Sequence, residues 1–159
     1  MNIRIGYGFD VHQLKEGEDL ILGGIKVPHV KGSVGHSDAD VLIHVLCDAI
    51  LGAANLRDIG FHFPDNSNEF KNIDSKILLK KVVEMITIKG FSINNIDSTI
   101  CLQNPKIKSF IPEMISVLAN CMNINEDQIS IKATTTEKLG YVGREEGISA
   151  HAVVLLKYQ

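Results

Sequence analysis

Asp10, His12 and His44 are the residues of this chain that most directly suggest metal chemistry. At a period of two, Asp10 and His12 lie on one face of a strand-like stretch. His44 stands four residues from both Asp40 and Asp48 in an apolar, helix-like stretch, so these three share one stripe. Two imidazoles and a carboxylate would hold zinc and leave its fourth position open to substrate. Asp48 would then orient the second nitrogen of His44.

The Asp10–His12 pair and the group of His44 with Asp40 and Asp48 each also have a structural interpretation. A histidine between two carboxylates on a largely buried helix is often a core residue satisfied by a salt bridge, and Asp–His pairs are common on surface strands. Each group alone therefore favours a structural role. Taken together, they leave the metal site and the structural role as open alternatives.

Two further stretches could bind phosphates or a second cation. In residues 131–140, IKATTTEKLG, three threonines at a predicted strand end offer hydroxyl and N–H donors beside Glu137, whose carboxylate suits Mg²⁺. In residues 103–106, Pro105 would fix a turn and Lys106 would neutralise a phosphate. The structural alternatives are good strand formers in the first stretch and a solvated lysine in the second.

The first strand, residues 3–14, must position Asp10 and His12. Its odd positions are apolar and are predicted to face the core: Ile3, Ile5, Tyr7, Phe9 and Val11. Its even positions carry Gly6 and Gly8, and glycine in a strand often marks a close approach to the backbone. We therefore expect the two glycines to clear space beside the carboxylate and the imidazole.

The remaining elements alternate between strands and helices. A hairpin turns at Gly23-Gly24, and a helix is predicted from Ser37, as its N-cap, to about Asn55. His36 and Ser37 at this helix start could also bind an anion. A long polar loop (56–73) precedes helices at 75–89 and 108–122 and strands at 97–103, 129–134 and 148–157. This order predicts an α+β two-layer sandwich forming a single domain over residues 1–159.

The composition excludes several classes of function. A net charge of −3, 6% aromatic residues and no tryptophan argue against nucleic-acid binding. The apolar stretches are too short for a membrane span, and the N-terminus does not resemble a signal peptide. Cys47, Cys101 and Cys121 lack metal or disulfide spacing and are predicted to be reduced core thiols.

Several separate motifs stand in the order and spacing of one known family. They are GFDVH (8–12), HSDADVLIH (36–44), DIG (58–60), FPD (63–65), KATTTEKLG (132–140) and GREEGI (143–148). Over all 159 residues the chain resembles the 2-C-methyl-D-erythritol 2,4-cyclodiphosphate synthases of the non-mevalonate isoprenoid pathway.

The resemblance implies a homotrimer of α+β, ferredoxin-like subunits with active sites between neighbouring chains. It implies conversion of 4-diphosphocytidyl-2-C-methyl-D-erythritol 2-phosphate to the 2,4-cyclodiphosphate and CMP, with zinc and a second divalent ion, Mg²⁺ or Mn²⁺. An isoprenoid diphosphate at the trimer axis is a further implied ligand. A bacterial cytosol and, for a processed form, a plastid-type organelle are the two implied compartments.

The resemblance also assigns roles residue by residue. Asp10, His12 and His44 match the zinc ligands, Glu137 matches the ligand of the second metal, and His36 and Thr135 match the groups that stabilise the transition state. The residues that match the family's binding segment for the methylerythritol part of the substrate are Ser37, Asp58, Ile59, Gly60, Phe63, Pro64, Asp65, Asn66 and Ser67. The nucleotide segment matches Leu102, Gln103, Asn104, Pro105, Lys106, Ile107, Lys108, Thr134 and Thr136, with Tyr141 and Arg144 near the trimer axis.

The sequence departs from the family pattern at two positions. Ser67 stands where the family often has a second aspartate, and Ala39 replaces a frequent glycine. Two rival functions remain. One is a metal-dependent phosphohydrolase of nucleotide diphosphates, and the other is a non-catalytic trimeric protein that binds a nucleotide or an isoprenoid.

Overall fold

The computed structural model describes residues 2–64 and 72–159, which form a mixed five-stranded sheet, a small hairpin and five helices. The strands are β1 (Ile3–Glu16), β2 (Leu20–Leu22), β3 (Ile25–Val27), β4 (Lys31–Val34), β5 (Phe91–Cys101), β6 (Ile129–Thr134) and β7 (Gly147–Tyr158). The helices are α1 (Val41–Ala53), α2 (Ile59–His62), α3 (Ser75–Ile88), α4 (Ile111–Met122) and α5 (Gly140–Gly143). The predicted α+β class is confirmed.

The sheet has the order β4-β1-β7-β5-β6. Only β5 and β6 pair in parallel among these described strands, whereas the other neighbours are antiparallel. Helix α1 packs on β1 and β7, α3 contacts β5, and α4 contacts β6. The hairpin β2–β3 turns at Gly23-Gly24 as predicted, and both glycines have positive φ.

Helix α1 begins later than the sequence suggests. Ala39 has a φ of 56°, so the backbone before Asp40 is not helical, and the prediction of Ser37 as N-cap is wrong. The N-cap is Asp40, a fully buried carboxylate that accepts hydrogen bonds from the N–H groups of Ile43, Gly23 and Gly24. Asp40 thereby joins the start of α1 to the hairpin turn.

Three elements were not predicted from the sequence. Strand β4 is short and contains Gly32, and helices α2 and α5 each span a single turn. Strand β5 also begins at Phe91, well before the predicted start at residue 97. Such short or polar segments have too few residues for a clear hydrophobic period.

The two faces of β1 are the reverse of the prediction. The odd residues face outward, with Ile5 73% and Tyr7 61% exposed, whereas Gly6 and Gly8 are buried. A Cβ atom on Gly6 would lie 1.9 Å from the carbonyl oxygen of Ala49, and one on Gly8 would lie 2.1 Å from that of Val45. The glycines therefore admit helix α1 rather than clear space for a substrate.

Substitution of Gly8 by alanine is expected to destabilise the fold. The new methyl group would overlap the backbone of α1, and overpacking of this kind lowers the free energy of unfolding by about 1–3 kcal/mol. Gly52→Ala is the matched control, because a Cβ there meets nothing within 4 Å and alanine favours the helix by about 0.5 kcal/mol. Denaturant unfolding at equal protein concentrations should thus give shifts of opposite sign, and equal shifts would contradict the close packing.

Two smaller findings complete the fold. Cys47, Cys101 and Cys121 are all unpaired, and Cys47 lies in the core. Along residues 2–64 and 72–159, no helix combines the length and apolar character needed to cross a lipid bilayer.

Candidate active site

The packing of α1 against β1 places His44 beside the Asp–His pair of the strand. Helix α1 runs antiparallel to β1, because Ala49 lies against Gly6 whereas Val45 lies against Gly8. The residue before Val45 therefore lies farther along the strand than Gly8, where β1 presents its carboxylate and imidazole. His44 occupies that position.

The three candidate ligand atoms form a compact triangle. His44 Nδ1 lies 3.2 Å from Asp10 Oδ2 and 3.1 Å from His12 Nε2, and His12 Nε2 lies 3.6 Å from Asp10 Oδ2. A tetrahedral zinc ion with bonds of about 2.0–2.2 Å requires its ligand atoms to be about 3.3–3.6 Å apart. The observed separations lie within or up to about 0.2 Å below this range, so small side-chain movements would let the three residues fit a divalent ion.

The other polar atoms of Asp10 and His12 are occupied by the backbone. Asp10 Oδ1 accepts a hydrogen bond of 2.8 Å from the N–H of Val11, and His12 Nδ1 lies 2.8 Å from the carbonyl oxygen of Val11. Because a carbonyl only accepts, His12 carries its hydrogen on Nδ1 and presents a lone pair at Nε2. Both side chains thus direct an available donor atom to the same point.

The second nitrogen of His44 is held by two serines. His44 Nε2 lies 3.1 Å from Ser37 Oγ and 3.1 Å from Ser75 Oγ. The prediction that Asp48 orients this nitrogen is therefore wrong, since Asp48 Oδ1 instead accepts a hydrogen bond of 2.7 Å from the N–H of Ile59. Asp48 lies one turn beyond His44 on α1, and this hydrogen bond to Ile59 anchors the start of α2.

The electrostatics of the site favour a cation. Burial raises the pKa of Asp10, but the hydrogen bond from His44 and the electrostatic interactions with His12 and His44 outweigh it and lower the pKa overall. Burial lowers the pKa of His44, but Asp10, followed by Asp40 and Asp38, raises it overall. A divalent ion would replace the proton that the pair holds.

One cavity opens onto these ligands and gathers much of the predicted site. It is lined by Asp10, His12, Val34, Gly35, His36, Ser37, His44, Asp48, Ile59, Gly60, Phe63, Ile73 and Leu78. Asp58 is the N-cap of α2 and accepts a hydrogen bond of 2.9 Å from the N–H of Phe61. Pro64 is exposed, and Asp65, Asn66 and Ser67 lie outside the described residues.

The predicted nucleotide residues form a second group. The N–H of Leu102 donates to the carbonyl of Thr134, and the N–H of Lys138 donates to Gln103 Oε1, so the two loops contact each other. The side chains of Leu102 and Ile107 are buried in the core, whereas Asn104, Lys106, Lys108, Thr134 and Glu137 are exposed and Pro105, Thr135 and Thr136 are partly exposed. Glu137 has a φ of 54° and its N–H donates to Thr135 Oγ1.

The two groups lie apart within one chain. Asp10 pairs with Ala150, Ala150 pairs with Ile100, and Ile100 pairs with Ala133, so three strand spacings separate Asp10 from the end of β6. At about 4.8 Å per spacing, the separation is about 14 Å. Neither the loop at 102–108 nor residues 134–137 line the cavity of the Asp10 group.

Tyr141 and Arg144 follow the second group along the chain. Tyr141 is exposed at the start of α5, and its ring approaches Gly147. Arg144 is also exposed and pairs with Glu146 at 3.0 Å. Lys31, on β4, donates to the carbonyl of Glu145 in the same region.

Ser75 and Asp38 are the polar residues near the ligands that sequence reasoning missed. Ser75 is fully buried and is the first residue of α3. In the sequence, Asp74 and Ser75 have only the pattern of a helix start, which occurs at many helices without any site. The sequence therefore contains no signal that would distinguish Ser75.

Comparison with known proteins gives consistent matches over nearly the whole chain. The model of the YgbB family matches residues 3–157. A protein of Bacteroides fragilis named 2-C-methyl-D-erythritol 2,4-cyclodiphosphate synthase is 67% identical over 156 residues, covering 98% of each chain.

Two solved structures are also similar. The bifunctional IspDF of Campylobacter jejuni superposes with a TM-score of 0.96 and 46% identity. The match covers 99% of this chain but 43% of that longer protein. A Plasmodium falciparum structure described as an IspF–CDP complex has a TM-score of 0.88 and 37% identity, covering 99% of this chain and 97% of the other.

Proposed function

The chain belongs to the YgbB family, and we infer that it acts as its relatives are named, as a 2-C-methyl-D-erythritol 2,4-cyclodiphosphate synthase of isoprenoid biosynthesis. It converts 4-diphosphocytidyl-2-C-methyl-D-erythritol 2-phosphate to the cyclic 2,4-diphosphate and releases CMP. The observation that carries the site assignment is the triangle of Asp10, His12 and His44, whose edges match a tetrahedral metal centre.

Charge repulsion is the main obstacle to this reaction. The 2-phosphate oxygen attacks the β-phosphate, and both groups are anionic. Because the attacking oxygen is already ionised near neutral pH, no side chain has to remove a proton from it. Asp10, His12 and His44 would hold zinc and Glu137 a second ion, Mg²⁺ or Mn²⁺, and when bound these cations supply the positive charge that offsets the repulsion.

The remaining residues bind and orient the substrate. We assign donation to the transition-state phosphate oxygens to His36 and Thr135. The cavity residues Ser37, Ile59, Gly60 and Phe63 line the space assigned to the methylerythritol part, together with Asp58 and Pro64, and the assignment extends to Asp65, Asn66 and Ser67. The exposed and partly exposed residues of the second group would hold the cytidine diphosphate part, with Leu102 and Ile107 supporting the loop; they are Gln103–Lys106, Lys108, Thr134 and Thr136.

A homotrimer with sites between subunits would unite the two groups. Two features of the chain support this assembly. The Asp10 and Glu137 groups lie too far apart to grip one diphosphate within a chain, and the outer face of β1 exposes a row of apolar side chains that includes Ile5, Tyr7 and Phe9. Such a face is suited to burial against neighbouring subunits of the same ferredoxin-like fold. Arg144 and Tyr141 would then lie near the axis, where an isoprenoid diphosphate could bind.

Phosphorus NMR of the product tests this function. The wild-type protein should release CMP and a cyclic diphosphate. A phosphohydrolase would consume water and release CMP and the open 2,4-bisphosphate, which has no P–O–P bond, and a binding protein would release neither. Glu137→Gln should lower turnover at least about 100-fold, because the side chain loses its charge for the second ion. It should still retain the ion at Asp10, His12 and His44.

Glu126→Gln is the matched control, because Glu126 is an exposed glutamate in the short turn Glu126–Gln128, outside both groups. Its turnover and its product should equal those of the wild type. An unchanged turnover in Glu137→Gln would remove Glu137 from the site, and a linear product from the wild type would reject the cyclisation.

A further inference from the structure

We propose that Ser75, supported by Asp38, is a positioning residue that fixes which nitrogen of His44 is available to a metal. The proposal rests on the metal site inferred above. It concerns a fully buried hydroxyl group that none of the sequence motifs contains and that does not line the cavity.

The hydroxyl of Ser75 contacts two groups that differ in what they can accept. It donates a hydrogen bond to Asp38 Oδ1, and it lies 3.1 Å from His44 Nε2. A carboxylate can only accept, so the single proton of the serine hydroxyl is directed to Asp38. Ser75 Oγ therefore has only lone pairs to offer to His44.

This hydrogen-bond arrangement places a hydrogen on His44 Nε2. Ser37 Oγ, at 3.1 Å, shares that hydrogen as a second acceptor. Because Nε2 holds this hydrogen, Nδ1 is the nitrogen left for a metal. Without a metal, Nδ1 donates toward Asp10 Oδ2, at 3.2 Å, and a metal bound between Asp10 and His12 would displace the hydrogen on Nδ1 and take the lone pair. The chain Asp38–Ser75–His44 thus selects the tautomer that the triangle of ligands requires.

Asp38 is itself held in place by the start of α3. Its Oδ2 accepts a hydrogen bond of 3.0 Å from the N–H of Ser75, and its Oδ1 also accepts one of 3.2 Å from the N–H of Asp40. The carboxylate thus receives both the N–H and the O–H of one serine. Helix α3 is thereby linked to the geometry of a ligand on helix α1.

Zinc affinity of the purified protein tests the proposal. Loss of an outer hydrogen-bond partner of a ligating histidine lowers metal affinity about 10–100-fold. Ser75→Ala, stripped of metal and titrated with Zn²⁺ against a chromophoric chelator, should show a loss of that size. Ser75→Thr, which keeps the hydroxyl, should recover most of the affinity, and Co²⁺ bound to Ser75→Ala should give an altered absorption spectrum.

Ser98→Ala is the matched control, because Ser98 is also a buried serine and its hydroxyl donates to the carbonyl of Ser130 on β6. It should lose stability while its zinc affinity stays within about twofold of wild type. If Ser75→Ala does not fold, Asp38→Asn replaces it. The amide group replaces one of the two oxygens that accept from the N–H and the O–H of Ser75, so this variant should also weaken zinc binding.

Zinc affinity in Ser75→Ala equal to that of Ser98→Ala would overturn the proposal and leave the metal site intact. A wild-type protein that binds no zinc would instead overturn the metal site and this inference with it. The two failures are therefore distinguished by the wild-type titration alone.

Discussion

Purified His44→Ala is expected to contain no zinc and to have less than about one thousandth of wild-type activity, whereas the wild type carries about one zinc per chain. The loss follows from geometry, because His44 supplies one corner of the ligand triangle and only two donors, Asp10 and His12, would remain. The variant should stay folded, since α1 is otherwise apolar and is capped by Asp40. Metal analysis of the protein and phosphorus NMR of the reaction measure both effects.

His29→Ala is the control for a general effect of histidine loss. His29 lies between β3 and β4 and is not part of the ligand triangle, so the zinc content and the activity of His29→Ala should equal those of the wild type. Full zinc occupancy in His44→Ala would contradict the assignment of His44 as a zinc ligand. Zinc loss accompanied by unfolding, seen by circular dichroism, would show that His44 mainly stabilises the core.

A mixture of two inactive variants, His44→Ala and Thr135→Ala, is expected to recover activity when unfolded and refolded together. If each site combines the Asp10 group of one subunit with the Thr135 group of its neighbour, the two variants damage opposite halves. Random assembly from equal amounts then gives an intact pair of halves at about one quarter of the interfaces of a cyclic trimer. Activity near a quarter of wild type, measured in excess zinc, is the expected result.

Two controls accompany this experiment. Folded variants mixed without denaturant should stay inactive, because subunits exchange slowly. Each variant refolded alone should also stay inactive. If the refolded mixture forms trimers by light scattering yet remains inactive, both groups act within one chain and the shared site is refuted.

The meeting of Asp10, His12 and His44 could be anticipated from the sequence, but the surroundings of these side chains could not. Asp10 and His12 share a strand face at a period of two, and His44 belongs to a long apolar helix, so each local pattern was informative. The partner of His44 Nε2 depends on where α3 begins in space, and Ser75 lies 31 residues away along the chain. No local period encodes such a contact.

The opposite faces of β1 were misassigned for a related reason. Apolar residues at Ile3, Ile5 and Tyr7 normally indicate the core, but the outer face of a sheet can be equally apolar when another subunit covers it. The glycines correctly predicted that something approaches the backbone of β1 closely. The sequence did not identify α1 as the approaching element. Only the packing of Ala49 and Val45 on the strand decides between a helix and a substrate.

The contact of Gly6 and Gly8 with α1 also determines the register of the candidate ligand triangle. Sliding β1 by one residue would turn Asp10 and His12 to the outer face and bring Tyr7 or Phe9 under the helix. Sliding it by two would bring the side chain of Asp10 toward Val45, where even a Cβ atom does not fit. The glycines therefore allow one alignment only. A transplant of this ligand triangle into another sheet must therefore include the glycine pair and the facing helix as well as Asp10, His12 and His44.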